Sequence, residues 1–474
     1  MRNSLKGLLF LLTLPAVLSG AHLLFVFHGG AGTASVYNAD TLELLGTPEV
    51  GPGAVRAFGV PDPVSPSAYL KLYVITGSSI VVLNPTPPFS IRATLPLDAP
   101  PPAGPQAAAL SPDGRRLLVA SGSQVHVLST TDLVDTIAVS LPFPTTPSAV
   151  VVTPNSRRAY VMSAGSSVVR IIELLPLAQV LSLTASLPIG TFSTAIGMPP
   201  NGSRVYAAAS GSVYEFDRIS NNISAPIPNA FLGGGSIVFD PDPPVANAVL
   251  NAGLSAPIVN LASRTVGSTP FTAAGQGISE IVVSGANRAF FLTGSPGRLY
   301  QGFLTAGGPA TEVTSPQFGS NAIDFEGSPD GRHLFLAFAD SRVVRLDAIN
   351  AVATGAVTAP LAPSGVAVVY MAGATAAQQL EIYGGNSQSG AAGVTLSAPL
   401  AVRVRTGAGQ GAFGQTVSFS SDNTGVSFSD TSPITNLAGV AETFVTLPAA
   451  TALQVTATVN PGGFVLTQTF TLNS

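Results

Sequence analysis

A unit of about 44 residues repeats along this chain from near its beginning to about residue 370. The clearest copies open with the turns Ser111–Arg115 and Ser328–Arg332, and Thr153–Arg157 and Pro199–Arg204 are degenerate versions. Each turn is followed by short apolar runs that Gly, Ser, Asn or Asp residues separate. One such unit cannot bury both of its faces alone, so the copies must pack against one another in a ring or a stack.

The second apolar run of each copy gives the number of units. These runs begin near Leu23, Leu70, Arg116, Arg158, Arg204, Ala248, Arg288 and His333. Short alternating strands between Gly, Asn and Asp turns form antiparallel meanders, and four of them per unit around an axis make a propeller blade. We therefore predict an all-β fold with an eight-bladed propeller. Seven blades are the alternative, because the Pro-rich copies at Pro85–Pro88 and Pro241–Pro244 are weak and one of them could be an insertion.

The chain enters the ring on a second strand, and the apolar run Gly365–Tyr370 stands alone after the last copy. This run matches the first strand of other copies, such as Gln106–Leu110 and Ser148–Val152. We expect it to pair with the strand at Leu24–Phe27 and so complete the first blade, because that closure removes two exposed sheet edges.

The segments SPDGRRLLVASGSQVHVLSTTDL and TPNSRRAYVMSAGSSVVRIIEL resemble the bacterial YVTN-type propeller repeat, a relative of the lactonase-like propellers. The resemblance covers about three quarters of the chain. It implies the fold and leaves the function open, because propellers of this kind serve as enzymes, surface-layer proteins and binding modules.

The pattern changes after residue 370. We interpret residues 371–379 as an Ala-rich linker and residues 380–474 as a β-sandwich, because the alternation in Leu400–Arg405 and Leu453–Val459 is clean and the propeller turn is missing. The Gly384–Gln388 opening and the turn Asn436–Ala441 resemble the bacterial Ig-like domains of the invasin/intimin type, which implies an extracellular spacer or adhesive role. A linker without alternation leads us to expect few contacts between ring and module.

Composition excludes several classes of function. Lys and Arg number 20 against 24 Asp and Glu, so the chain carries no basic surface for nucleic acid. With no cysteine there is no disulfide, thiolate metal site or cysteine nucleophile. We expect a monomer without cofactor or metal, with an unknown protein or carbohydrate as ligand.

The N-terminus is typical of a secretory signal. Arg2 and Lys6 precede the apolar stretch Leu8–Leu18, and small residues at Ser19 and Ala21 suit cleavage before His22. We therefore predict a signal peptide over 1–21, a propeller over 22–370, and a bacterial protein that is secreted or displayed at the cell surface. The alternative is a membrane anchor, because residues 8–27 are almost continuously apolar.

No catalytic set is evident in the sequence. The four histidines share no motif with a second histidine or a carboxylate, although His28 lies beside the Gly-rich run Gly29–Gly32, which we interpret as a hairpin turn. The sequence offers one unusual feature. Counting back from the following turns places Glu280 and Asp324 at a position of the innermost strands that is Ala in other copies, with Arg56 one position off this register.

Carboxylates at that position would face the channel of the ring, where small residues are expected. We predict a channel ligand site at Glu280, Asp324 and Arg56, although the same side chains could simply be solvated there. Our leading hypothesis is a non-catalytic binding, adhesion or scaffold protein. The alternative is a propeller enzyme, a lactonase-like hydrolase or a lyase, with its site at the channel.

Overall fold

A computed structural model gives the structure of the protein. It describes residues 22–62, 68–101, 107–163, 165–174, 185–186, 193–209, 211–228, 236–242, 247–267, 277–285, 287–294, 297–304, 310–314, 318, 321–328, 331–369, 377–407, 409–449, 452–462 and 464–474. The predicted signal peptide over 1–21 and most of the predicted linker lie outside these residues. In the described ranges the regular structure is all β, and no helix there is long and apolar enough to cross a membrane.

Thirty-two strands precede residue 370 in the described part of the chain. They are β1 (Leu23–His28), β2 (Thr33–Asn38), β3 (Leu44–Gly46), β4 (Arg56–Pro61), β5 (Tyr69–Ile75), β6 (Ser79–Leu83), β7 (Ile91–Pro96), β8 (Ala108–Leu110), β9 (Arg116–Ser121), β10 (Gln124–Ser129), β11 (Ile137–Pro142), β12 (Pro147–Val152), β13 (Arg158–Ser163), β14 (Val168–Glu173), β15 (Ala185–Ser186), β16 (Ser193–Gly197), β17 (Val205–Ala209), β18 (Ser212–Phe216), β19 (Ile227–Pro228), β20 (Ile237–Phe239), β21 (Asn247–Leu250), β22 (Ile258–Asn260), β23 (Thr265–Gly267), β24 (Ile278–Ser284), β25 (Arg288–Thr293), β26 (Leu299–Phe303), β27 (Thr311–Glu312), β28 (Ala322–Gly327), β29 (His333–Phe338), β30 (Arg342–Asp347), β31 (Val352–Thr358) and β32 (Gly365–Val369).

These strands form eight four-stranded antiparallel sheets among the described residues. Each consecutive group of four from β4 to β31 makes one sheet, and we number these sheets 2 to 8. Sheet 1 has the order β3-β2-β1-β32, because the last strand pairs with the first. The weak Pro-rich copies each form a full sheet, β4–β7 and β20–β23.

The expected closure of the ring is confirmed. Strand β32 pairs antiparallel with β1, with Val369 opposite Leu23 and Gly365 opposite Phe27. The two ends of the repeat region are thereby joined by backbone hydrogen bonds, and neither β1 nor β32 is left as an open edge.

One apolar cluster lies between each pair of neighbouring sheets, including sheets 8 and 1. The second strands supply more of these side chains than any other strand of the sheets, and β1 is buried along its whole length. Strands packed on both faces are apolar throughout, which is why these runs were recognisable in the sequence. The outermost strands β7, β11 and β31 instead alternate between exposed and half-buried residues.

The turns that open the repeats are held by their own side chains. In the turn Ser111–Arg115 the Ser111 hydroxyl donates to Asp113 (2.6 Å) and accepts the N–H of Arg116 (2.9 Å). The fourth position has a positive φ, 71° at Gly114 and 57° at Ser156 in the degenerate copy. Glycine adopts this conformation without strain, which explains its place in the clearest copies.

The C-terminal module has eight strands in the described residues. They are β33 (Ala377–Gly384), β34 (Leu400–Thr406), β35 (Val417–Ser421), β36 (Ser427–Phe428), β37 (Val440–Thr443), β38 (Val445–Thr446), β39 (Leu453–Val459) and β40 (Leu466–Leu472). The sheets β33-β34-β37 and β35-β39-β40 share one apolar core, and β36 pairs with β38.

The predicted linker is too long at its C-terminal end. Strand β33 begins at Ala377, whose side chain is fully buried in the module core together with Leu380. The bulge between Ala377 and Gln379 disturbs the alternation at this point, which is why the sequence pattern does not reveal the strand.

Candidate functional site

In sheets 2 to 8 the inner strand is the first one in chain order, and in sheet 1 it is β32. Neighbouring inner strands contact each other in the order β8, β12, β16, β20, β24, β28, β32 and β4, and β4 and β8 share an apolar cluster. The inner strands therefore surround a central channel.

Strand pairing fixes which inner-strand residues share a level with Asp324, which lies opposite Ala337. The equivalent residues of sheets 1 to 8 are Gly365, Arg56, Ala107, Ala149, Ala195, Ser236, Glu280 and Asp324. We call this set the channel layer. Sheets 3 to 5 contribute only alanine, whereas the charged members are confined to sheets 7, 8 and 2.

Arg56 lies in register with Glu280 and Asp324, so its predicted offset of one position was wrong. The cause is a β-bulge opposite Val60–Pro61: Val60 pairs with Lys71 and Pro61 with Tyr69, so Leu70 of β5 is left unpaired and β4 runs on before its turn begins. Counting back from the turn therefore misplaces this residue by one.

The charged members of the channel layer line one cavity of about 530 Å³. Its walls include Arg56, Glu280 and Asp324, which the sequence had singled out, and also Glu326 and the hydroxyl of Ser236. Glu326 was missed by the sequence analysis. It lies two residues after Asp324 on β28, and the period of a strand places both side chains on the same face.

Asp324 and Glu326 connect sheet 8 to the closing strand of the ring. Asp324 Oδ2 accepts the N–H of Val366 (2.8 Å), and Glu326 Oε2 accepts the N–H of Val368 (3.0 Å). These two carboxyls therefore hold β32 from the side opposite to its pairing with β1.

All three carboxyls have raised pKa values. Burial and the neighbouring charge of Asp324 raise the pKa of Glu280, and the two side chains share a hydrogen bond. Burial also raises the pKa of Asp324, against the opposing effects of its hydrogen bonds and of Arg56. Burial raises the pKa of Glu326 to about 7, although Arg56 and the Val368 N–H act in the opposite direction. A hydrogen bond between two carboxyl groups needs one proton as donor, so in this arrangement Glu280 and Asp324 share a proton.

Arg56 is the cationic residue of the cavity wall. Its charge acts on Asp324 and Glu326, but in the described part of the chain its guanidinium makes no ion pair within 4.0 Å. An arginine side chain has five N–H donors. Those of Arg56 face the cavity with donor capacity to spare.

None of the four histidines is among the residues that line the channel cavity. His28 ends β1, and its Nε2 bonds the Ser35 hydroxyl (2.8 Å) while burial lowers its pKa. The run Gly29–Gly32 is the predicted hairpin turn between β1 and β2. His126 and His333 lie in β10 and β29. Among the described residues, no group of three or more His, Cys, Asp or Glu side chains is placed to hold a metal ion.

The C-terminal module packs against the end of the ring that lies away from the channel cavity. It contacts the turns that follow the inner strands of sheets 3 to 6. Leu437 N–H bonds Pro112 O (2.8 Å), Asn436 bonds Pro154 O (3.2 Å), and Tyr383 bonds Pro241 O (2.6 Å). His22, at the start of sheet 1, contacts Gln410 (2.9 Å).

The expectation of few contacts between ring and module was therefore wrong. The channel layer lies near the beginning of the inner strands and the module lies at their ends, so the cavity is at the end of the channel away from the module.

Comparisons with known proteins give the fold. The sequence matches no protein-family model and no curated protein. Among solved structures, the chain is similar to dihydro-heme d1 dehydrogenase NirN in complex with DHE, with a TM-score of 0.58 and 15% identity over 73% of this chain and 74% of that one.

Two further structures are more distant. Apo AztD from Citrobacter koseri has a TM-score of 0.49 and 14% identity, over 74% of this chain and 98% of that one. A putative 6-phosphogluconolactonase from Bacteroides uniformis has a TM-score of 0.46 and 14% identity, over 74% and 100%. The likeness to the first structure shows a β-propeller fold, and at this identity it shows nothing about activity.

Proposed function

We propose that this protein is a non-catalytic binding protein that holds a small polar ligand in the channel of an eight-bladed propeller. The proposal rests on one observation: Arg56, Glu280, Asp324 and Glu326 come from three different sheets and line a single cavity. Clefts of about 300–1,000 Å³ with a few convergent polar groups are typical of small-ligand sites. Charged side chains are only 9% of this chain, yet four of them line this one cavity, where they add nothing to the solubility of the outer surface.

The proposal includes the setting of the molecule. We infer that it is secreted or displayed at the bacterial cell surface, from the N-terminal sequence and from the resemblance of residues 380–474 to bacterial Ig-like domains. The contacts between module and ring favour a module that supports the propeller, and they argue against one that hangs from it as a loose spacer. Attachment or adhesion would then use the module surface that faces away from the ring.

A thermal-shift screen of residues 22–474 tests the binding function. We expect some ligand classes to raise the melting temperature and others to leave it unchanged. The classes to be screened are amino acids, amines, carboxylates, sugars and divalent cations. Ligands that act through the cavity should lose their effect in Arg56→Met or Asp324→Asn. If no class raises the melting temperature, or if these variants respond like the native protein, the channel site is only solvated lining.

An enzyme remains the second candidate function. The shared proton of Glu280 and Asp324 favours it, because a carboxyl–carboxylate pair can donate and accept protons during hydrolysis or elimination. Incubation with lactone, ester and glycoside substrates tests this function. Turnover that Glu280→Gln and Asp324→Asn both abolish would replace the binding proposal with a catalytic one.

A further inference from the structure

The charges of the channel layer are divided into two groups by a glycine. Around the ring, Arg56 of sheet 2 is followed by Gly365 of sheet 1, and then by Asp324 and Glu280 of sheets 8 and 7. Gly365 has no side chain to occupy the space between them. A Cβ at this position would come within 2.9 Å of Asp324 Oδ2, so any larger residue would push this carboxylate out of its place beside β32.

The two groups differ in the kind of ligand atom they can hold. The guanidinium of Arg56 has donors to spare and suits a carboxylate, which it can bind through two parallel hydrogen bonds. Glu280 and Asp324 present acceptor oxygens and suit an ammonium group. A ligand carrying both charges would therefore replace the shared proton with its own cation and pair its anion with Arg56.

From this arrangement we infer that the channel site binds a small zwitterion, with an ammonium and a carboxylate on one short carbon chain, as in an α-amino acid. This inference rests on the proposed binding function and names its ligand class. The cavity of about 530 Å³ has room for such a molecule and for bridging water.

Two other ligand classes fit the lining less well. A sugar site normally provides an aromatic face, but the aromatic residue of the lining, Phe325, is 1% exposed and packs into the apolar cluster between sheets 7 and 8. A metal ion needs more ligands in the right geometry than the described residues bring together.

The test compares a zwitterion with its two halves. Calorimetric titration of residues 22–474 with L-alanine, ethylamine and propionate separates the contributions of the two charges. We expect L-alanine, or another amino acid from a full panel, to bind at least tenfold more tightly than either half. Binding should also release protons to the buffer, because an ammonium displaces the proton shared by Glu280 and Asp324.

Two variants assign the charges to the two ends of the ligand. Arg56→Met should weaken zwitterion binding at least tenfold and leave ethylamine binding within twofold. Asp324→Asn should weaken the zwitterion and ethylamine but leave propionate unaffected; its amide oxygen can still accept the N–H of Val366. Arg115→Met, an exposed change of the same charge outside the channel, is the matched control.

The possible outcomes separate the ligand class from the binding function. If sugars bind through the cavity and amino acids do not, the zwitterion inference fails while the proposed binding function stands. If no amino acid in the panel binds and no other class does so either, both are overturned. If zwitterions bind equally well to the native protein and to Arg56→Met, the charge assignment is wrong.

Discussion

Arg218 of sheet 5 and Glu442 of the C-terminal module form a bidentate ion pair that is almost completely buried. The two nitrogen–oxygen distances are 2.6 and 3.0 Å, and the side chains are 3% and 1% exposed. Arg218 also donates to the carbonyl of Gly202 and lies over the ring of Phe444. Burial alone would lower the pKa of Arg218, but Glu442 raises it above its ordinary value. Ring and module are joined at this point by charges that neither can leave unpaired.

Removing one partner of this pair should be strongly destabilising. Glu442→Leu leaves the guanidinium of Arg218 buried without its counter-charge, which costs about 3–5 kcal/mol in comparable pairs. Urea unfolding should show this loss, and Arg218→Met combined with Glu442→Leu should recover much of it. The control is the exposed pair Arg157–Asp430, with side chains 50% and 37% exposed. Asp430→Asn should cost less than about 1 kcal/mol. Equal losses at both sites would contradict the role assigned to the buried pair.

The ring and the module should unfold in one transition. Hydrogen bonds from the module reach Pro112, Pro154 and Pro241 in the turns of sheets 3, 4 and 6, so separation of the two parts would leave polar groups unpaired at each of them. Calorimetry of residues 22–474 should give a single peak, and a chain of residues 22–369 should melt at a lower temperature. Two separate peaks, with the shorter chain melting at the temperature of one of them, would show independent units.

Much of this fold could be predicted from the sequence, whereas the docking of the module could not. The second strands are buried on both faces, so runs such as Leu117–Ala120 are apolar throughout and repeat at a fixed spacing. Arg218 and Glu442 are brought together only by the docking of the module, and no local pattern relates them. The channel site could be predicted only in part. Alternation along β28 could have revealed Glu326, but the bulge beside Val60 hid the register of Arg56 until the strand pairing was known.

The folded protein should become less stable as pH rises through the titration of Glu326, because burial disfavours its ionised form. The pKa of Glu326 is raised from 4.5 to about 7 in the folded state, so the folded protein binds this proton more tightly than the unfolded chain does. The free energy of unfolding should therefore fall between about pH 4.5 and pH 7 and level off above that. Glu326 should account for about 3 kcal/mol of this fall at most. Glu326→Gln should remove this part of the dependence. The measurement is the difference between native and variant melting curves across this range, which cancels other groups such as His28. A constant difference would show that Glu326 does not titrate there.

Gly59 should tolerate no side chain. It lies on inner strand β4, where an added Cβ would collide with the side chains of Val369 and Tyr69. Tyr69 is held in place because its hydroxyl donates to the carbonyl of Val369 (3.0 Å), so it cannot turn away without losing that bond. Overpacking of this kind costs about 1–3 kcal/mol. Gly59→Ala should therefore lower the free energy of unfolding by that amount in urea titration. At Gly30, in the hairpin between β1 and β2, an added Cβ meets nothing within 4 Å, and Gly30→Ala should leave stability almost unchanged. Equal effects at the two positions would mean that sheet 2 can move away from the closing strand.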